Sequence, residues 1–198
     1  MQHSTAPARY RLITLAWLLS CLASLALATA ADADSFELLT QPGHVLLLRH
    51  ANAPGVGDPP GMVLSDCATQ RNLDEAGRTQ ARALGRRLRK AGVADARVYT
   101  SEWCRCRETA RLLDIGPVEA LPALNSTFGR SEEKESQIAA LRAFTDKLPR
   151  DGGPVVLVTH QLTITALTGY FPASGAGLIL RLLPDGGFER VAEVSAGE

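Results

Sequence analysis

The chain has 198 residues, with 21 basic and 21 acidic side chains and 45% apolar residues. That length builds one domain with a sizeable core and leaves little room for a second. The balanced charge supplies no global field for nucleic acid or an anionic membrane surface, so a partner must be recognised by local clusters.

The first thirty residues stand apart from the rest. Arg9 and Arg11 precede the apolar stretch LITLAWLLSCLASLALATA, which ends in the small-residue triplet Ala28-Thr29-Ala30. This is the layout of a signal peptide cleaved after Ala30, and it leaves residues 31–198 as a single secreted or periplasmic domain. Contact with the membrane is then expected only through the signal peptide, before cleavage. The competing reading is an uncleaved N-terminal helix that anchors the protein in the membrane, because the stretch is nearly long enough to span a bilayer. Lipidation at Cys21 ranks last, since a further apolar run would then open the mature chain.

Cleavage would remove Arg9 and Arg11 and no acidic residue, leaving 19 basic side chains against 21 acidic ones. Cys67, Cys104 and Cys106 remain, in a compartment that permits disulfides. Their odd number leaves at least one free or bridging between molecules, and the expected bond joins Cys67 to Cys104 or Cys106. Half of a metal site in Cys104-Arg105-Cys106 is the rival, without Cys-x-x-Cys or paired-histidine spacing to support it.

HVLLLRH, residues 44–50, reads as a short buried strand, and the polar, Gly- and Pro-rich segment 51–71 as a long loop of the kind that carries function. Over residues 72–92, Leu73, Gly77, Ala81, Leu84 and Leu88 fall at helical spacing, with acidic residues in the first turn and Gly92 past the end, which predicts an amphipathic helix. Its arginines share that helix with Asp74 and Glu75 and read as a solvated face rather than a nucleic-acid patch. ARVYTS (96–101) is a second strand, EWCRCRETARLL (102–113) a second helix, and VEALPAL (118–124) a third, edge strand broken by Pro122. A charged loop from Asn125 leads into a helix over 136–149. PVVLVTH (154–160) is a buried strand followed by the helix QLTITALTG (161–169), and residues 177–194 form a hairpin about Asp185-Gly186-Gly187. Strands alternating with helices predict an α/β three-layer sandwich with a mainly parallel central sheet flanked by helices.

In such sheets ligands bind beyond the carboxyl ends of the strands. Three strand ends deliver polar groups there: Arg49 and His50, Ser101 with the following Arg105, and His160. Two imidazoles and two guanidiniums in one cleft repel one another unless an anion joins them. The planar fork of arginine matches phosphoryl oxygens, and an imidazole can attack phosphorus and carry the phosphoryl group covalently. A metal site is the functional rival, but only His44, His50 and His160 follow the leader, one of them beside an arginine.

LLLRHANAP resembles the Arg-His-Gly signature of the histidine phosphatase (phosphoglycerate mutase-like) superfamily, with Ala51 in place of glycine. NLDEAGRTQARALGRRL resembles the family's first long helix, VYTSEWCRCRETARLL its Ser-x-x-x-Arg-x-x-x-Thr-Ala segment, and VVLVTHQLTITALTG its second-histidine segment, all in the family's order. The resemblance implies that His50 is the nucleophile that becomes phosphohistidine, and that Arg49, Arg105 and His160 bind the phosphoryl oxygens. The spacing from Ser101 and to Thr109 selects Arg105 over Arg107. Asn52 is a further candidate for the phosphate pocket, or else a loop cap. No metal or other cofactor is implied, because the arginines and His160 supply the positive charge.

Two departures bear on the general acid. Where many members carry a glutamate this chain reads ALNSTFG, with Asn125, and where another branch has an aspartate after the second histidine it has Gln161. Glu132 and Glu133 are the displaced candidates. If the acid is missing, leaving groups that need no protonation are favoured. The expectation is an exported phosphatase acting on a phosphomonoester or related phosphoryl group, in a small molecule, an envelope glycan or a phosphoprotein, and not a mutase of cytosolic metabolism. The alternative is a non-catalytic phosphate-binding envelope protein that has lost its acid.

Overall fold

The structure, a computed structural model, describes residues 35–196. The expected leader and its cleavage after Ala30 lie outside the described residues. Six strands make one sheet: β1 (His44–Arg49), β2 (Arg97–Thr100), β3 (Val118–Ala120), β4 (Val155–Thr159), β5 (Gly177–Leu182) and β6 (Phe188–Val194), in the order β3-β2-β4-β1-β5-β6. The four strands β3, β2, β4 and β1 run parallel, and β5 and β6 add an antiparallel edge beside β1. The helices are α1 (Glu75–Lys90), α2 (Cys104–Leu113), α3 (Lys134–Lys147) and α4 (Gln161–Thr168).

Both faces of the sheet are covered, which is why β1 and β4 read as continuous apolar runs rather than alternating ones. Leu46 and Leu48 of β1 pack with Leu84 and Leu88 of α1 and Leu113 of α2. Their neighbours Val45 and Leu47 point to the other face, against Leu141 of α3 and Ile164 of α4. The result is the predicted three-layer α/β sandwich. Burying each of these leucines contributes on the order of 2 kcal/mol.

Element ends differ from the sequence expectation in ways with local causes. The third strand stops at Ala120, because Pro122 lacks the N–H that a ladder needs and opens a 3-10 turn at Pro122–Leu124. The second helix begins at Cys104 rather than Glu102, with Trp103 extended at its N-cap. At the start of α1, Asp74 Oδ1 accepts from the Gly77 N–H at 2.7 Å, which ends the loop and caps the helix. A Cβ on Gly77 would lie 2.0 Å from the Asn52 carbonyl oxygen, so the first turn of α1 presses on the backbone two residues beyond His50. No helix among the described residues is long and apolar enough to cross a membrane.

Candidate active site

The neighbours β2, β4 and β1 end side by side, and their carboxyl ends form the floor of the site. The His50 N–H donates to the Thr159 carbonyl at 2.9 Å, which ties the end of β1 to the end of β4, where His160 follows. The two imidazoles meet edge to face, with ring centroids 5.5 Å apart. Both histidines are buried.

The His50 ring is oriented by its own loop. Its Nδ1 lies 2.7 Å from the Ala51 carbonyl oxygen, which can only accept, so Nδ1 carries the proton and the Nε2 lone pair is free. Burial, followed by the charges of Arg105, Arg49 and Arg71, pushes the His50 pKa down to about 3 against the pull of the Ala51 carbonyl. His50 is therefore neutral at neutral pH. Burial and the charges of His50 and Arg105 likewise hold His160 well below the usual imidazole range.

Three guanidiniums, those of Arg49, Arg71 and Arg105, gather around the histidines. Burial and mutual repulsion lower the pKa of Arg49 and of Arg71. Buried Arg105 forms a two-point ion pair with Asp58, Nη1 to Oδ1 at 2.7 Å and Nη2 to Oδ2 at 3.2 Å. Asp58 also accepts from the Trp103 indole at 3.0 Å and from the Arg71 backbone N–H at 3.1 Å. Burial opposes ionisation of Asp58, but the Arg105 hydrogen bond and charge, with those two donors, hold its carboxyl below the ordinary range. Arg49 Nη1 donates to the Pro172 carbonyl at 2.9 Å, and Arg71 donates to the carbonyls of Ala53 and Gly57.

One carboxylate does not balance three guanidiniums. Arg49 Nε and Arg105 Nε are moreover buried without an acceptor among the described residues. A buried charged donor without a partner costs on the order of 1–3 kcal/mol, and an anion with several oxygens would recover that. Among the described residues no three His, Cys, Asp or Glu side chains converge as metal ligands. His44 lies at the opposite end of β1 from His50, roughly 20 Å away at about 3.3 Å per residue.

The spacing Ser101, Arg105, Thr109 has a structural explanation. Ser101 Oγ lies 2.8 Å from His160 Nε2, Arg105 pairs with Asp58, and Thr109 Oγ1 accepts from the Ala51 N–H at 3.0 Å, holding the backbone next to His50. Asn125 serves this framework: its Oδ1 accepts from Ser101 Oγ at 3.3 Å and from the Glu102 N–H at 2.9 Å. The disulfide is Cys67–Cys104, clamping the end of the 51–71 loop to the residue before Arg105. Among the described residues Cys106 is the free thiol, 3.4 Å from His160 Nε2, and burial pushes its pKa up to about 12.

Arg49, His50, Arg105 and His160 thus come together. The Asn52 amide is turned onto Asp74 Oδ2 at 3.1 Å, and its N–H donates to Gln80 at 2.9 Å. Glu132 and Glu133 sit exposed on a 3-10 turn, with Glu133 paired to Arg130 at 3.2 Å. Sequence reasoning missed Asp58, Arg71 and Trp103. The one signal for Asp58 was its place as an isolated carboxylate in a long Gly- and Pro-rich loop.

Fold and site together define an α/β protein in which three guanidiniums gather about two buried histidines at the carboxyl ends of a mainly parallel sheet. The family model described as "Histidine phosphatase superfamily (branch 1)" matches residues 45–148, and the chain belongs to that superfamily. Among solved structures, the protein histidine phosphatase SixA complexed with tungstate is 21% identical over 77% of this chain and 97% of its own, with a TM-score of 0.56. The structure described as "putative phosphohistidine phosphatase SixA from Agrobacterium tumefaciens" is 19% identical over 78% and 99%, with a TM-score of 0.54. The mycobacterial glucosyl-3-phosphoglycerate phosphatase in complex with inorganic phosphate is 18% identical over 78% and 99%, with a TM-score of 0.56. These likenesses are of fold. No curated protein sequence matches this chain.

Proposed function

We propose that the protein is an exported phosphatase that hydrolyses a phosphomonoester or related phosphoryl group through phospho-His50, without a metal. The observation that carries this reading is a buried histidine with its proton held on Nδ1 by Ala51, beside half-buried Arg49 and buried Arg105, whose Nε–H groups find no acceptor among the described residues. Nε2 attacks phosphorus as the bond to the leaving oxygen breaks, while Arg49, Arg105 and His160 hold the phosphoryl oxygens through the transition state. Water then attacks the phosphohistidine, releasing phosphate and restoring neutral His50. Export rests on the N-terminal pattern of charged, apolar and small residues, and it suits the Cys67–Cys104 disulfide. The neighbours named as a protein histidine phosphatase and as a glucosyl-3-phosphoglycerate phosphatase support a phosphorylated substrate in general terms.

Phosphate release from 4-nitrophenyl phosphate, with and without a chelator, tests the reading on the parent and on His50→Ala. The parent is expected to turn over equally in both conditions and the variant not at all. Turnover surviving in His50→Ala would remove the covalent route, and loss on chelation would remove metal independence. Tight phosphate binding with no turnover would instead establish a binding protein.

A further inference from the structure

We propose that Asp58 is the general acid of this site, protonating the leaving group from the loop that follows the nucleophile. The inference rests on the phosphatase reading above. Two independent observations carry it. Asp58 is the carboxylate that occupies Arg105, at 2.7 and 3.2 Å, so phosphoryl oxygens that reach Arg105 must replace it there and leave it alongside. Asp58 also lines a cleft of about 410 Å³ whose walls include Met62, Trp103, Phe128 and Arg130, and it is the one carboxylate among the lining residues. The side chain therefore stands between the phosphoryl clamp and the space open to a leaving group.

Other carboxylates are worse placed. Glu133 is half exposed and committed to Arg130, and Glu132 is exposed beside it. Glu102 accepts from the Asn125 amide at 2.7 Å and lines a separate cleft with Arg107 and Arg111.

The hydrogen bonds around Asp58 suit an exchange. Oδ1 accepts from Arg105 and from the Arg71 N–H, and Oδ2 from Arg105 and from the Trp103 indole. Once a phosphoryl group takes Arg105, one neutral donor remains on each oxygen and keeps the carboxyl in place. Losing its cation and gaining an anionic neighbour both favour the protonated carboxyl. The proton arrives from water after the exchange. As the His50 Nε2–phosphorus bond forms and the phosphorus–oxygen bond breaks, the Asp58 proton passes to the leaving oxygen and an alcohol departs. In the second step the Asp58 carboxylate takes a proton from the attacking water, the nitrogen–phosphorus bond breaks, and its electron pair returns to Nε2.

The test is a series of monoesters, from 4-nitrophenyl through phenyl to alkyl phosphate, hydrolysed by the parent, Asp58→Asn and Asp58→Glu. General acid catalysis contributes about 10²–10⁴-fold where the leaving group needs a proton. Asp58→Asn is expected to lose that factor on the alkyl ester and far less on the 4-nitrophenyl ester, with Asp58→Glu recovering part of the alkyl loss. Equal slowing of all esters by Asp58→Asn would overturn the assignment and make Asp58 an anchor of its loop. Faster turnover of all esters with tighter phosphate inhibition would overturn it too, making Asp58 only a competitor for Arg105. A parent inert toward every ester would sink the phosphatase reading and this inference with it, whereas a parent active on 4-nitrophenyl phosphate keeps the two separable.

Discussion

Acid should destabilise this fold through His50, and the size of the effect follows from its surroundings. The unfolded chain binds a proton on His50 with a pKa of 6.5, whereas in the fold burial and three guanidiniums push it down to about 3. Below pH 6.5 the unfolded state thus binds the proton that the folded state refuses, so stability is full above that pH and falls as pH drops towards about 3. One pH unit is worth about 1.4 kcal/mol, which makes the loss about 2 kcal/mol by pH 5. His160 adds to the loss with the same sign, since burial and its cationic neighbours depress it as well. Asp58 works in the same direction only at lower pH, because its ion pair is lost as pH falls below the ordinary carboxylate range. Urea unfolding of the parent and of His50→Gln at pH 7.5 and pH 5 isolates the His50 contribution. The drop between the two pH values is expected to be about 2 kcal/mol smaller in the variant. An equal drop in both proteins, or an imidazole titration of His50 near its ordinary value, would refute the electrostatic picture of the site.

Two further outcomes follow from packing and connectivity. Alanine is the better helix former than glycine by about 1 kcal/mol, yet Gly77→Ala is expected to cost stability, because its Cβ would lie 2.0 Å from the Asn52 carbonyl oxygen. Overpacking of this kind costs about 1–3 kcal/mol, and displacing the backbone beside His50 should also slow turnover; thermal unfolding and 4-nitrophenyl phosphate hydrolysis read the two effects. Removing the Cys67–Cys104 disulfide in a Cys67→Ser, Cys104→Ser variant opens a sequence separation of 37 residues. The loop-closure entropy gives a loss of about 4 kcal/mol in chemical denaturation, and phosphate affinity should weaken because Cys104 adjoins Arg105.

Much of the architecture was legible because it is written in short-range periodicity. The runs VLLL and VVLV are apolar on both faces because both sides of the sheet are covered, and Ala81, Leu84 and Leu88 recur at helical spacing because one face of α1 is buried. Three residues of the candidate site were legible for the same reason, since Arg49, His50 and His160 stand where apolar strands stop, whereas Arg105 was singled out over Arg107 by the resemblance of the segment from Ser101 to Thr109 to a family motif. The ends of elements were less readable, as Pro122 shows, since one missing N–H decides whether a strand continues.

Tertiary structure alone decided how these residues are charged and partnered. Asp58 meets Arg105 across 47 residues, and Ser101 meets His160 across 59, through loops whose composition carries no period to read. The choice of Cys104 over Cys106 for the disulfide depends on which face of α2 looks at the loop: both are buried, but Cys104 meets Cys67 while Cys106 turns towards His160. Asn125, an apparent gap where an acid was sought, turns out to hold Ser101 and Glu102. Local sequence determined which elements form and which polar groups cap them. Only the folded chain, by bringing charges together out of water, determined that His50 is neutral, that its Nδ1 carries the proton, and that a carboxylate, Asp58, pairs with Arg105 beside it.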